Sequence, residues 1–300
     1  GPYHYVTDEY KGEKTIPLGI YCRKSLAPHL DSEEFFLITK QGFAFYEKEF
    51  GLPYPFEKYD QLCVAEFNNG AMENVGCVTF REDLVIYRSK VTETLYNWRA
   101  NVILHEMAHM WFGDLVTMKW WNDTWLNESF AEWAAYYTSA NATKYKNSWT
   151  EFTGARKNWA YRQDQLSSTH PIAVDMKNME EVRTNFDGIT YAKGASVLQQ
   201  LVAHVGKENF FAGLKKYFAK HAWGNTVLRD LLVELEATSG RDLSGWTKTW
   251  LQTAGVNTLR PDLKVVDGKY TEVAVIQEVP QVPAGSTELR PHRMAIGLYD

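Results

Sequence analysis

His105-Glu106-Met107-Ala108-His109 is the stretch from which the rest of the chain can be read, and Glu128, eighteen intervening residues later, belongs with it. In a helix, positions i and i+4 share a face one turn apart, so both imidazoles reach one ion. Zinc takes nitrogen and oxygen donors, and two His with one carboxylate leave a fourth position open for water. Glu106 directly follows the first His, so it projects beside such an ion and can take a proton from that water. The candidate metal ligands are therefore His105, His109 and Glu128, with one Zn2+ expected, and Glu106 is the candidate general base.

The helix is indicated independently. From Thr92 to Phe112 the chain lacks Pro and Gly, and Leu95, Trp98, Val102, Ile103, Leu104, Met107 and Met110 recur at helical spacing, with Gly113 as a stop. Asn122 or Asp123 caps a second helix running to about Ser139. Glu128 falls inside it, among Trp125, Leu126 and Phe130, where an unpaired carboxylate is costly to bury and a metal removes that cost. The competing reading makes Glu128 and Glu132, one turn apart, a solvated face.

Two further motifs flank this pair of helices: Gly70-Ala71-Met72-Glu73-Asn74 and Tyr191-Ala192-Lys193-Gly194. With H-E-x-x-H, eighteen residues and N-E, the set resembles the aminopeptidase N family of zinc peptidases, within the gluzincins, and its wording is most similar to the bacterial members. The resemblance spans 70–194 and departs locally at Ser129, where most relatives have Gly. It implies an α+β, thermolysin-like catalytic domain over 1–255, a small mixed sheet plus a helical lobe. It implies that 256–300 are the first strands of a truncated β-sandwich domain, and that the whole protein has a preceding β-domain and a following helical domain. It also implies that Gly70, Ala71, Met72, Glu73 and Asn74 bind substrate, that Glu73 holds the ammonium of peptides with a free N-terminus, and that Tyr191 stabilises the oxyanion.

Residue chemistry supports part of this. An extended segment opening with Gly and Ala lets another backbone approach closely, as strand addition requires. A carboxylate at its end can hold a compact ammonium by charge-assisted hydrogen bonds. Without the resemblance, Glu73 reads as a surface carboxylate near a turn and Tyr191 as a core or rim residue.

The bulk numbers bound the answer. Three hundred residues, 45% hydrophobic with 11 Trp, 17 Tyr and 15 Phe, support a sizeable core. A net charge of −5 without a basic stripe argues against nucleic acid or an anionic membrane as partner. Cys22, Cys63 and Cys77 form no C-x-x-C and are odd in number, which reads as reduced thiols in a cytoplasmic protein. The sequons at Asn122, Asn127 and Asn141 read as coincidental.

In chain order, residues 1 to about 24 read as extended, with Thr15–Cys22 the clearest strand. Asp31 or Ser32 caps a helix to Phe50, closed by Gly51. Runs at 60–67, 76–80 and 84–88 read as strands, 148–163 as a helix, and 207–253 as helical throughout. Tyr191 falls in the first turn of another helix. Around Asp267-Gly268, 263–276 read as a hairpin, and 293–299 add a further β-rich run. The expected activity is zinc-dependent removal of N-terminal residues. A thermolysin-like endopeptidase, an epoxide hydrolase and a catalytically silent peptide-binding fragment remain alternatives.

Overall fold

Alternation of buried and exposed side chains sets the sheet. Among residues 2–297, which the computed structural model describes, β1 (Tyr3–Lys11), β2 (Thr15–Arg23), β3 (Tyr59–Val64), β4 (Ala71–Met72) and β5 (Cys77–Arg81) form one mixed sheet in the order β1-β2-β3-β5-β4. β2, β3 and β5 are parallel, whereas β1 and β4 are antiparallel to their neighbours. Ile16, Leu18, Ile20 and Cys22, then Tyr59 and Cys63, then Val78 and Phe80, are buried, because side chains two apart share a face. α1 (Ser32–Phe50) joins this core through Phe35, Ile38, Phe43 and Tyr46. Asp31 accepts the Glu34 N–H at its start, and Gly51 closes it at φ 73°.

Two helices carry the candidate metal ligands, α3 (Glu93–His109) and α4 (Thr124–Ala142). α3 crosses α1 closely at Gly42, where a Cβ would lie 2.6 Å from Leu104 and 2.8 Å from the Met107 sulfur. Tyr46 donates to the Leu104 carbonyl at 2.9 Å, and Trp111 packs edge-on to Phe43, Tyr46, Phe50 and Tyr54. Phe112 stacks on Phe130 of α4 at 4.3 Å. The candidate metal ligands thus stand on helices whose backs are locked into the aromatic core.

Several boundaries depart from the expectations. α3 ends at His109 instead of Phe112, since the N–H groups of Met110 and Trp111 reach only three residues back and Gly113 turns the chain at φ 136°. Asp123 is the N-cap residue of α4, but its carboxylate accepts the Leu228 N–H at 3.2 Å. Residues 84–88 are not a strand. Glu82, bonded by Arg23, opens the single helical turn α2 (Glu82–Val85), where acidic residues suit the first turn.

The segment 148–163 is helical as α5 (Ser148–Glu151), a wider π segment and α6 (Asn158–Gln163). α7 (Met179–Thr184) precedes the Tyr191 turn, which leads into α8 (Gly194–Val205) and α9 (Lys207–His221). The span 207–253 is interrupted by a strand. β7 (Gly224–Thr226) pairs in parallel with β6 (Val116–Met118) before α10 (Leu228–Ser239) and α11 (Ser244–Leu251). These three-residue strands are too short to show a period of two in the sequence.

β8 (Thr258–Val266) and β9 (Lys269–Glu278) form the expected hairpin. Asp267 and Gly268 have φ of 51° and 72°, the positive pair that a tight turn of this hand needs. No further strand follows among the described residues, so the run at 293–299 forms none up to Gly297, and Leu298 and Tyr299 lie outside them. Buried Arg290, ahead of that run, bonds Thr253, Gly255 and Asn257 in the connection between α11 and β8.

Candidate active site

α3 points His105 and His109 to one side, and α4 brings Glu128 to meet them. His105 Nε2 lies 3.2 Å from His109 Nε2 and 3.3 Å from Glu128 Oε2, and His109 Nε2 lies 3.5 Å from the same oxygen. Three donors at about 2.0–2.1 Å from one tetrahedral zinc stand about 3.3–3.4 Å apart. The triangle matches that edge length, so the residues fit the ion. Burial alone would lower the His105 pKa, but hydrogen bonds to Glu128 and Glu132 raise it to about 9. Burial would raise that of Glu128, but both imidazoles hold it well below the usual carboxylate range. The pocket is therefore one that stabilises positive charge among the three donors.

The far sides of the imidazoles are also engaged. His109 Nδ1 lies 3.1 Å from the Phe112 carbonyl and 3.2 Å from Asn127 Oδ1. A carbonyl only accepts, so Nδ1 carries the proton and Nε2 is left free to coordinate. Gly113 makes room for this contact, because a Cβ there would lie 2.6 Å from Asn127 Oδ1. His105 Nδ1 faces Glu132 Oε2 at 3.5 Å, and the other oxygen of Glu132 accepts from Arg156 Nε at 2.5 Å. Glu132 is buried, so the solvated-face reading of this residue is corrected. Burial would raise its pKa, but Arg156 first and His105 second hold it near 2.

Sequence reasoning missed Asn127, Glu132 and Arg156 as parts of the site. Glu132 had a signal, one turn beyond Glu128, that a solvated face shares. Arg156 had none, since it arrives from a separate helical segment. It lies over the rings of Trp98, Trp159 and Tyr191 at 5.2, 4.7 and 6.0 Å.

Glu106, Glu73 and Tyr191 gather beside the donor triangle. Burial raises the Glu106 pKa to about 7, against the lowering pull of His105 and His109, which suits a group exchanging protons near neutrality. Ligating atoms of Glu73, Glu106 and His109 all lie within 4.8 Å of one another. Glu73 follows β4, the edge strand of the sheet, whose outer side has no partner strand among the described residues. Gly70, just before this strand, accepts from the Arg81 N–H, Met72 is exposed, and Asn74 closes the turn by accepting from the Cys77 N–H at 2.9 Å. Tyr191 lies beside His105, its ring 6.1 Å from that imidazole and under the same Arg156 that bonds Glu132. Burial and the carboxylates of Glu128 and Glu106 push its phenol far up, so it stays protonated and able to donate. The structure therefore brings together His105, Glu106, His109, Glu128, Glu73 and Tyr191, and sets Gly70, Ala71, Met72 and Asn74 along the adjoining sheet edge.

A family model described as the peptidase family M1 domain matches residues 36–250. The whole chain is 59% identical to aminopeptidase N of Streptomyces lividans, of which it covers 36%. It is 39% identical, over 96% of its length, to tricorn protease-interacting factor F2 of Thermoplasma volcanium, again covering 36% of that protein. Over 92% of its length it is 35% identical to aminopeptidase 2 of Candida albicans, of which it covers 29%. The chain spans about a third of the length of these relatives.

Proposed function

The chain belongs to peptidase family M1, and from that premise we propose that it is the catalytic part of a zinc aminopeptidase, removing single residues from peptides with a free N-terminus. The observation that carries the reading is the donor triangle of His105, His109 and Glu128, with Glu106 beside it and Glu73 facing it across a sheet edge. Bound there, zinc would supply Lewis-acid polarisation of the scissile carbonyl and lower the pKa of water towards about 7.

The chain's own residues do the rest. β4 receives the peptide as an added strand, with Gly70 and Ala71 permitting close approach. Glu73 accepts hydrogen bonds from the α-ammonium, which fixes the register so that one residue is removed. Glu106 takes the proton from the attacking water and delivers it to the departing amine, a contribution of typically ~10²–10⁴ in rate. The protonated Tyr191 phenol donates to the carbonyl oxygen as it becomes tetrahedral. Met72 and Asn74 border the bound peptide.

The thermolysin-like form of the sheet-plus-helix body, the boundary at 255, and 256–300 as the first strands of a β-domain belong to the same reading. A two-stranded ribbon exposing Leu259, Leu263, Val265, Val273 and Val275 supports the last of these, since an isolated hairpin is marginal in water.

Mass spectrometry of one peptide, N-terminally free and N-acetylated, tests the proposal with zinc-loaded protein. Stepwise loss of single residues from the free form only is expected. Internal cleavage of both forms would instead establish an endopeptidase and remove Glu73 from its role.

A further inference from the structure

Tyr191 does not sit in a regular helix, and the departure gives its neighbour Ser129 something to do. Ile189–Lys193 widen into a π turn. The N–H of Gly194, which an α-turn aims at the carbonyl of Thr190, is shared between those of Ile189 and Tyr191. The carbonyl passed over accepts from the Ser129 hydroxyl at 2.5 Å. Ser129 is 0% exposed and Thr190 3%. Ser129 directly follows Glu128, and Thr190 directly precedes Tyr191. One buried hydroxyl therefore joins the backbone beside a candidate metal ligand to the backbone beside the candidate oxyanion donor.

The same side chain meets the start of α8. A Cβ on Gly194 would lie 1.8 Å from Ser129 Oγ and 2.8 Å from Ser129 Cβ, with the next neighbour, the Ile189 carbonyl oxygen, 3.6 Å away. Gly194 has φ −59° and ψ −47°, ordinary helical values, so the glycine is required for space and not for an unusual backbone. The contact is specific to the pair. Removing Ser129 beyond its Cα would free the room that an alanine at 194 needs.

We propose that Ser129 is a positioning residue for the hydrolysis, holding Tyr191 in register with Glu128, and that Ser129 and Gly194 form a size-matched pair. The catalytic half rests on the aminopeptidase reading; the steric half does not. A ring displaced by a fraction of an ångström weakens a hydrogen bond made only as the carbonyl becomes tetrahedral, which lowers kcat and leaves ground-state binding alone.

The test uses S129A, S129G, G194A and S129G/G194A in the complete zinc-loaded protein. S129A is expected to lower kcat about 3- to 10-fold with KM within about twofold and zinc content unchanged. Its affinity for a phosphinic dipeptide, an analogue of the tetrahedral species, falls by the same factor as kcat/KM, while affinity for the free amino acid product holds. G194A is expected to lower Tm and to lose at least about 100-fold in kcat, and S129G/G194A to regain most of both. Wild-type kcat and phosphinate affinity in S129A would overturn the positioning role, which a merely space-filling serine would not play. A double variant that melts as low as G194A would overturn the pairing. If the wild-type protein cleaves no peptide, the aminopeptidase reading fails and the positioning role with it, and the Tm values of G194A and the double variant still decide the pairing.

Discussion

One carboxylate shows how much of the site lies beyond the motif. Glu132 stands one turn past Glu128 and takes His105 Nδ1 on one oxygen and Arg156 on the other. Partners of this kind fix the imidazole's tautomer and orientation, and losing them typically costs 10–100-fold in metal affinity. Glu132→Gln is therefore expected to weaken zinc binding by about 10–100-fold in competition with a chromophoric chelator, while turnover at saturating zinc falls less. Unchanged affinity would show that the contact does not tune the metal. His105, Glu106, His109 and Glu128 were legible because both imidazoles share one helical face and Glu128 lies in an apolar run. Glu73 and Tyr191 were legible only through the resemblance, since a carboxylate near a turn and a tyrosine among many carry no local signal. Arg156 and Asn127 were not legible at all. One comes from a distant segment, and the other looked like a sequon without consequence.

At the scale of elements, capping and periodicity recovered the long helices, as α1 shows from Asp31 to Gly51. They failed where tertiary contacts overrode local pattern. Residues 84–88 are β-rich in composition, yet Leu84 and Val85 close a helical turn that opens at Glu82, the partner of Arg23, and no strand follows. β6 and β7 exist because each finds the other, which three residues cannot announce. The turn bearing Tyr191 is held in a similar way. Asp187 accepts from the N–H groups of Ile189 and Thr190, and its other oxygen takes Gln163 and His170. Burial alone would lower the His170 pKa, but the Asp187 carboxylate outweighs it and raises the value above the ordinary one. A folded pKa raised in this way stabilises the protein fully below the unfolded value of about 6.5, and the gain disappears as pH rises through the folded value. Melting of wild type against His170→Gln across pH is therefore expected to show the largest difference below about 6.5 and a shrinking one above. A difference that grew with pH would contradict the pairing.

Across the whole molecule, one core joins the mixed sheet to the helices, from Ile16 of β2 to Leu251 of α11, and the site sits where sheet edge and helices meet. The sheet offers a backbone edge and the helices offer charge. The α+β class came with the family resemblance and agrees with the observed order of strands and helices, whereas the meeting of β4 with α3 and α4 is long-range and no periodicity encodes it. The measurement that bears most directly on this account is zinc stoichiometry together with turnover for wild type, Glu106→Gln and His109→Ala. One zinc per chain is expected in wild type and Glu106→Gln, with little retained in His109→Ala, and turnover is expected in wild type alone. Turnover persisting in zinc-loaded Glu106→Gln, or full zinc in His109→Ala, would contradict it.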